Sequence, residues 1–406
     1  MKRILFVDDD RDVLEGLRAM LRDQHKRWDM VFVAGGEEAI AELERSRIDV
    51  IVCDMRMPRI DGATLLRHVQ DRHPRVVRIV LSGYAELESA LRTVPVAHQF
   101  LTKPCDAELL RNVVDRACNL QALIGDETIR DLIGKLGKLP SLPRVYLQLT
   151  HTLADENAGT DEVARVIEGD PSMCAKVLQL VNSAFIGLGR QITSIEQAVA
   201  YLGTNMLKNL TLVVKVFSVG NGAAGAILDR LQGHALLVAA IARRLAGADR
   251  RLAEDAFISG ILHDLGKLIL ASERPHQFEH LAERARTEGR PLFAVEREEL
   301  GVTHAEMGAY LLGIWGLPYP IVEAVANHHA PERVPARQGL DPLATTYLAN
   351  LFVHEQAAER GESAIYPPLD QAYLDAIGVS ESITDWREMA ASLAAGMRAN
   401  PDRRAA

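Results

Sequence analysis

Asp49-Val50-Ile51-Val52-Cys53-Asp54-Met55-Arg56-Met57-Pro58 is the stretch from which the fold follows. Four apolar residues end on an aspartate, and a proline follows shortly after. A short, wholly apolar run of this kind reads as a strand buried on both faces, as in parallel sheets. Ile4-Leu5-Phe6-Val7, ahead of Asp8-Asp9, and Val76-Val77-Arg78-Ile79-Val80-Leu81, ahead of Ser82, repeat the pattern. Met30-Val31-Phe32-Val33 and Gln99-Phe100-Leu101, ahead of Thr102-Lys103-Pro104, are weaker versions. Helical patterns lie between them at 12–22, 37–46, 62–71, 86–92 and 106–120. This alternation predicts an α/β domain over 1–120, a doubly wound five-stranded parallel sheet covered on both faces.

Beyond residue 120 the strand signal disappears. Residues 120–138 read as helical and could extend the preceding helix as a connector over 121–138. Leu139-Pro140-Ser141-Leu142-Pro143 marks a boundary. An all-helical domain is expected over 139–355, with helices at 161–168, 172–182, 194–202, 231–246, 253–262, 293–315 and 320–329. A C-terminal extension over 356–406 carries a helix at 382–399.

The chain has 406 residues, 48% hydrophobic and 25% charged. That is an ordinary globular composition and excludes a disordered or collagenous chain. Cys53, Cys105, Cys118 and Cys174 show no metal or redox spacing. The net charge is -9; residues 1–120 hold 19 basic and 20 acidic residues, which leaves -8 for the rest. An acidic second part is not expected to bind nucleic acid directly. No uninterrupted apolar run approaches the roughly 18 residues of a membrane span. The run after Lys2-Arg3 is too short for a leader, so a cytoplasmic location is expected.

In a parallel sheet, ligands bind beyond the carboxyl ends of the strands. There the sequence places Asp8 and Asp9, Asp54, Ser82 and Lys103. One aspartate after a strand is usually a helix cap or a solvated loop residue. Polar residues after the strands as a set are not accounted for that way. Converging carboxylates call for a divalent cation, and an oxygen-only donor set suits Mg²⁺. With a lysine and a hydroxyl beside them, they fit a carboxylate nucleophile that takes a phosphoryl group.

Val7-Asp8-Asp9, Cys53-Asp54-Met55-Arg56-Met57-Pro58 with Asp61-Gly62, Leu81-Ser82-Gly83 and Phe100-Leu101-Thr102-Lys103-Pro104 resemble the receiver domain of two-component response regulators, a flavodoxin-like fold. The resemblance implies that Asp54 accepts phosphate from a sensor histidine kinase. It implies that Asp8, Asp9, Asp54 and the Arg56 carbonyl hold Mg²⁺, and that Ser82 and Lys103 contact the phosphoryl group. Phe100 fills the aromatic switch position, and a cis Lys103–Pro104 bond is expected.

The second domain is marked by histidines. His263-Asp264 closes an apolar helix, His234 opens one, His304 follows Val302-Thr303, and His328-His329 end another. Imidazole and carboxylate together suit Fe, Mn or Zn, and four helices can bring such residues into one bundle core. A helix-end histidine can equally cap carbonyls, so the two readings stay open. His25, His68, His73, His98, His151, His276, His280 and His354 read as ordinary surface or structural histidines.

These residues resemble the HD superfamily of metal-dependent phosphohydrolases, with His234, His263, Asp264, His304 and His328 as the candidate metal cluster. Leu139-Pro140-Ser141-Leu142-Pro143, Glu168-Gly169-Asp170-Pro171, Leu180-Val181-Asn182-Ser183-Ala184, Ser194-Ile195-Glu196-Gln197-Ala198 and Leu202-Gly203 narrow the resemblance to the HDOD subfamily. HDOD domains are signalling or interaction modules that generally lack demonstrated catalysis. Two departures from active HD enzymes stand out. Asn350 lies where a late acidic ligand is expected. The Gly-Tyr-Pro signature of the cyclic-di-GMP phosphodiesterase branch is missing after His328-His329. The expectation is a response regulator whose phosphorylation controls an HDOD output acting on a downstream protein, a homodimer being open. The alternative is a phosphohydrolase acting on a nucleotide or cyclic dinucleotide.

Overall fold

The structure, a computed structural model, describes residues 1–83, 95–121, 126–136, 139–141, 143–155, 158–182, 191–208, 217–219, 223–361 and 365–399. The first part is a five-stranded sheet of β1 (Lys2–Val7), β2 (Trp28–Val33), β3 (Val50–Asp54), β4 (Val77–Gly83) and β5 (Gln99–Lys103). All pairings are parallel and the order is β2-β1-β3-β4-β5. Every residue of the central β3 is buried, as its apolar sequence requires. Helices Arg11–Met20, Gly36–Arg45, Gly62–Arg72 and Ala107–Leu120 flank the sheet. The expected helix at 86–92 lies outside the described residues.

Local chemistry sets where these helices start. The Asp10 side chain accepts from Asp12 N, Asp61 from Thr64 N, and Asp106 from Glu108 N and Leu109 N. At Gly62 a side chain would meet the Asp54 carbonyl oxygen at 2.3 Å. Glycine therefore lets the 62–72 helix start directly against the end of β3. The chain order of the sheet reverses between β1 and β3, so Asp8 and Asp54 fall at the topological switch point.

Three expectations are corrected beyond the sheet. The 107–120 helix does not run on as a connector: a separate helix, Glu127–Lys135, starts from Asp126, whose side chain accepts from Ile129 N. Strands do occur after residue 120, because Leu139–Ser141 pairs in parallel with Phe217–Val219. Three residues are too few for periodicity to reveal. The helix expected at 293–315 is two helices, Leu292–Leu300 and His304–Ile314. Gly301, at φ 68, ends the first in the left-handed conformation, and Thr303 with Glu306 forms a capping box on the second.

The remaining helices are Pro143–Ala154, Thr160–Glu168, Pro171–Val181, Ile195–Lys208, Ala223–Leu245, Arg250–Leu262, Leu265–Glu273, Pro275–Glu288, Tyr319–Asn327 and Pro342–Glu359. Asp170 caps the 171–181 helix through Met173 N, with Pro171 in its first turn. Gln371–Ile377 and Ile383–Ala399 close the chain and place Tyr373, Leu374, Ile377 and Ala390 in a core shared with the 223–245 and 342–359 helices. Gly225–Leu245 is long and apolar enough to cross a membrane, with a mean hydropathy of 1.2, but half of it is buried inside the fold.

One apolar core runs from the sheet into the helical part. Arg78, 1% exposed, lies at this junction. Its guanidinium donates to the carbonyls of Pro74, Val76, Val96 and Gly134, tying the 127–135 helix to β4. Burial lowers its pKa to about 9.

Candidate functional sites

The sheet brings Asp8, Asp54 and Lys103 together at the ends of β1, β3 and β5. Lys103 Nζ donates to Asp8 Oδ2 at 2.7 Å and to Asp54 Oδ1. The other Asp54 oxygen accepts from Arg56 N at 2.6 Å. Asp8 and Asp54 are buried, whereas Asp9 is exposed at the mouth. Burial raises the Asp54 pKa against the opposing pull of Lys103. Burial also works against the Lys103 charge, but its hydrogen bonds to Asp54 and Asp8 outweigh this and its pKa ends above the usual lysine value. Ser82 is fully buried near the end of β4, where Thr102 of β5 pairs with it. Phe100 is buried in the same strand, and the Lys103–Pro104 peptide is cis. The oxygen-only donors Asp8, Asp9 and Asp54 suit a hard cation such as Mg²⁺.

The second cluster forms where four helices end or begin. His263 ends the 250–262 helix, Asp264 starts the 265–273 helix, His304 starts the 304–314 helix and His328 ends the 319–327 helix. Gly266 makes this meeting possible, since a side chain there would lie 2.0 Å from the His304 carbonyl oxygen. His234 comes in from the middle of the 223–245 helix, not its start as the sequence suggests.

Asp264 is the hub. Its Oδ2 lies 3.2 Å from His263 Nε2 and 3.6 Å from His234 Nε2. Its Oδ1 lies 3.2 Å from His304 Nε2 and 3.8 Å from His328 Nε2. The far side of three of these rings is fixed. His263 Nδ1–H donates to the Gly260 carbonyl at 2.7 Å, and His328 Nδ1–H to that of Val325 at 2.8 Å. His304 Nδ1–H donates to the buried Glu296 at 2.6 Å. At His263 and His328 this leaves the Nε2 lone pair on the side of Asp264, the arrangement of metal-binding histidines with backbone supports. His263 Nε2, His328 Nε2 and Asp264 Oδ1 are buried without a hydrogen-bond partner among the described residues. Such orphaned atoms are costly in a native core, and a cation would satisfy all three.

Charge divides the rings: His234 and His328 are held neutral, whereas His304 is held toward its protonated form. Burial holds His234 and His328 well below the usual histidine pKa, and therefore neutral. Burial opposes the Asp264 carboxylate, but His263 and Lys267 outweigh it and hold its pKa well below the usual range. At His304 burial is likewise outweighed, here by Glu296, and the pKa rises.

Several residues of the pocket lie outside the sequence-derived set. His329 Nε2 is 2.8 Å from His304 Nε2, and His304, His328 and His329 form a second ligand group beside His234, His263 and Asp264. His354, expected to be ordinary, instead faces His234 with ring centroids 5.1 Å apart and stacks on Tyr366 at 4.4 Å. Its spacing four residues after Asn350 on one helix is a signal that could have placed it here. Asn350, which the sequence does place at this site, has its Oδ1 3.0 Å from His234 Nε2, and its Nδ2 donates to Tyr366 OH at 3.2 Å. Glu296 and Tyr366 carry no motif. A cavity of about 490 Å³ opens onto His234, His304, His329 and His354, with Arg230 and Lys267 on its wall.

Comparison with known proteins agrees with both halves. The response regulator receiver domain family matches residues 4–115, and the HDOD domain family matches residues 139–331. An uncharacterized protein of Treponema pallidum is 28% identical over 255 residues, 61% of this chain and 48% of that protein. The hydrogenase transcriptional regulatory protein HoxA of Cupriavidus necator is 36% identical over 131 residues, 32% of this chain and 27% of its own length. The chain thus spans about half or less of the curated relatives named here. The MmoQ response regulator of Methylococcus capsulatus, a solved structure, is 22% identical with a TM-score of 0.46, covering 59% of this chain and 98% of its own. The chain therefore joins an N-terminal response regulator receiver domain to an HDOD domain.

Proposed function

We propose that this chain is the switch of a two-component pair, in which a sensor histidine kinase delivers a phosphoryl group to Asp54 and the HDOD part carries the signal onward. The observation that supports this is Lys103 Nζ held between the Asp8 and Asp54 carboxylates at adjoining strand ends. Asp54 is the nucleophile: one carboxylate oxygen attacks phosphorus while the other is held by Arg56 N, and the P–N bond to the kinase's phosphohistidine breaks with its imidazole as the leaving group. Lys103, freed from its ion pairs, holds the incoming phosphoryl oxygens together with Ser82. Bound Mg²⁺, held by Asp8, Asp9, Asp54 and the Arg56 carbonyl, would neutralise the gathered negative charge. Phe100, between Gln99 and Lys103 in β5, is the switch residue. Labelling by acetyl phosphate in Mg²⁺ tests this. Wild type takes up label and Asp54→Asn does not; label surviving the substitution refutes the assignment.

On this reading residues 121–138 connect the two parts, and the output is a cytoplasmic signalling module that engages a downstream protein or a second copy of the chain. A second reading, a metal-dependent phosphohydrolase acting on a nucleotide or cyclic dinucleotide, is favoured by the three orphaned ligand atoms around Asp264. His234, His263, Asp264, His304 and His328 would hold Fe, Mn or Zn, which would supply Lewis-acid activation of water. The first test is metal content after loading with Mn²⁺ or Fe²⁺ and dialysis. Retention lost in His263→Ala supports a metal centre. Equal metal content and equal melting temperature in the two proteins sink it.

A further inference from the structure

The 304–314 helix touches both sites' surroundings. Its first residue, His304, faces Asp264 in the histidine pocket. Its other end lies on the receiver. Gln99 Nε2 of β5 donates to the Ile314 carbonyl at 2.9 Å. The Leu120 side chain fills the space a side chain at Gly313 would need, with Leu120 Cδ1 2.6 Å from that position. Arg116 Nη1 donates to the Leu317 carbonyl at 3.3 Å, just beyond the helix. From the 171–181 helix, Gln179 Nε2 donates to the His98 carbonyl at 3.0 Å, next to Gln99.

The helix is well built to transmit a displacement. All of its 11 residues except Glu306 are buried, so it cannot yield piecemeal in a close-packed core. Its N-terminus is clamped by the capping box, and His304 N donates to Glu296 Oε2 at 2.8 Å. Its length is about 16 Å at 1.5 Å per residue. On the receiver side, Gln99 and Lys103 begin and end the same strand, about 13 Å apart. One strand and one helix therefore connect the phosphoacceptor pocket to His304.

We propose that the 304–314 helix couples the two sites, so that phosphorylation at Asp54 changes the affinity of the histidine pocket for a divalent metal ion. The proposal rests on reading that pocket as a metal centre. When Lys103 and Phe100 respond to the phosphoryl group, β5 moves the Ile314 end through Gln99. His304 then shifts relative to Asp264 and His328, which belong to other helices. Coupling of this kind is reciprocal: metal in the pocket changes the receiver's affinity for a phosphoryl mimic by the same factor.

The test uses the full chain and Co²⁺, followed by its visible absorption, in excess Mg²⁺ that fills the receiver. Beryllofluoride is the phosphoryl mimic, its saturation confirmed by fluorine NMR. Wild type should change its apparent Co²⁺ Kd about fivefold or more on adding beryllofluoride. Gln99→Ala, which touches neither site, should bind both ligands and show less than about half of that coupling on a logarithmic scale. A Co²⁺ affinity identical with and without beryllofluoride overturns the coupling and leaves the metal centre standing. Full coupling in both Gln99→Ala and Arg116→Ala overturns the helix as the route. Absence of any Co²⁺ signal that His263→Ala removes overturns the metal reading, and the proposal with it.

Discussion

Replacing Lys176 by methionine should shift stability more favourably at neutral pH than at alkaline pH. Lys176 is 2% exposed, and burial lowers its pKa to about 7. Its ammonium sits 4.5 Å above the Trp315 ring, at the seam between the HDOD helices and the receiver. An unfolded lysine titrates near pH 10.4, so between roughly pH 7 and 10 the unfolded chain binds a proton that the folded chain does not. Stability therefore rises with pH across that window, by about 1.4 kcal/mol per unit at its steepest. Below about pH 7 both states are protonated and this slope disappears. At pH 7 the cost of the buried lysine is about 4 kcal/mol by this linkage, and by pH 9 it is about 2 kcal/mol. Methionine keeps the length and the contact with Trp315 but does not titrate. Guanidinium unfolding of both proteins at pH 7 and pH 9, followed by helical circular dichroism, should show the advantage of Lys176→Met falling by about 2 kcal/mol. An advantage unchanged between the two pH values would refute the claim that the lysine is held near neutral pKa by burial.

Two further substitutions address the histidine pocket and the HDOD motif. Gly266→Ala puts a methyl group 2.0 Å from the His304 carbonyl oxygen, and backbone cannot swing aside as a side chain can. It should cost about 3 kcal/mol, read as a lower melting temperature, and a melt matching wild type would show that the two helices do not meet this closely. Asn182→Ala removes the side chain that donates to the Ile192 carbonyl and accepts from Ile192 N, both at 2.7 Å. A loss of about 2 kcal/mol in urea unfolding is expected, and a loss below about 0.5 kcal/mol would mean the Asn of this motif is not structural.

Much of this protein is legible in its sequence because local rules govern it. Short apolar runs ending in Asp54, Ser82 or Lys103 fix both the strands and the residues beyond their ends, since a parallel sheet buries both faces and leaves only strand ends for polar chemistry. The pocket of Asp8, Asp54 and Lys103 is therefore assembled from residues the sequence already sets apart. The His263-Asp264 pair and the helix-end histidines are visible for a similar reason, as polar residues breaking apolar helices. The pairing of Leu139–Ser141 with Phe217–Val219 left no periodic trace, because three residues are too short to carry one. The break at Gly301 and Thr303 was hidden by apolar residues on both sides of it, although the Thr-Glu capping box is a local signal that could have shown it.

What only the tertiary structure decided is which side chains meet. Glu296 reaches His304 from the preceding helix, while Tyr366, from beyond the HDOD match, and His354 beside His234 come from segments far from the histidines they meet. Apart from the Asn350–His354 spacing, no spacing rule connects them, because their proximity depends on how whole helices pack. The same holds for Gln99 reaching the Ile314 carbonyl, a contact across 215 residues that joins the receiver to the helix whose first residue is His304. Sequence periodicity tells which face of an element is buried; only the packed fold tells against what.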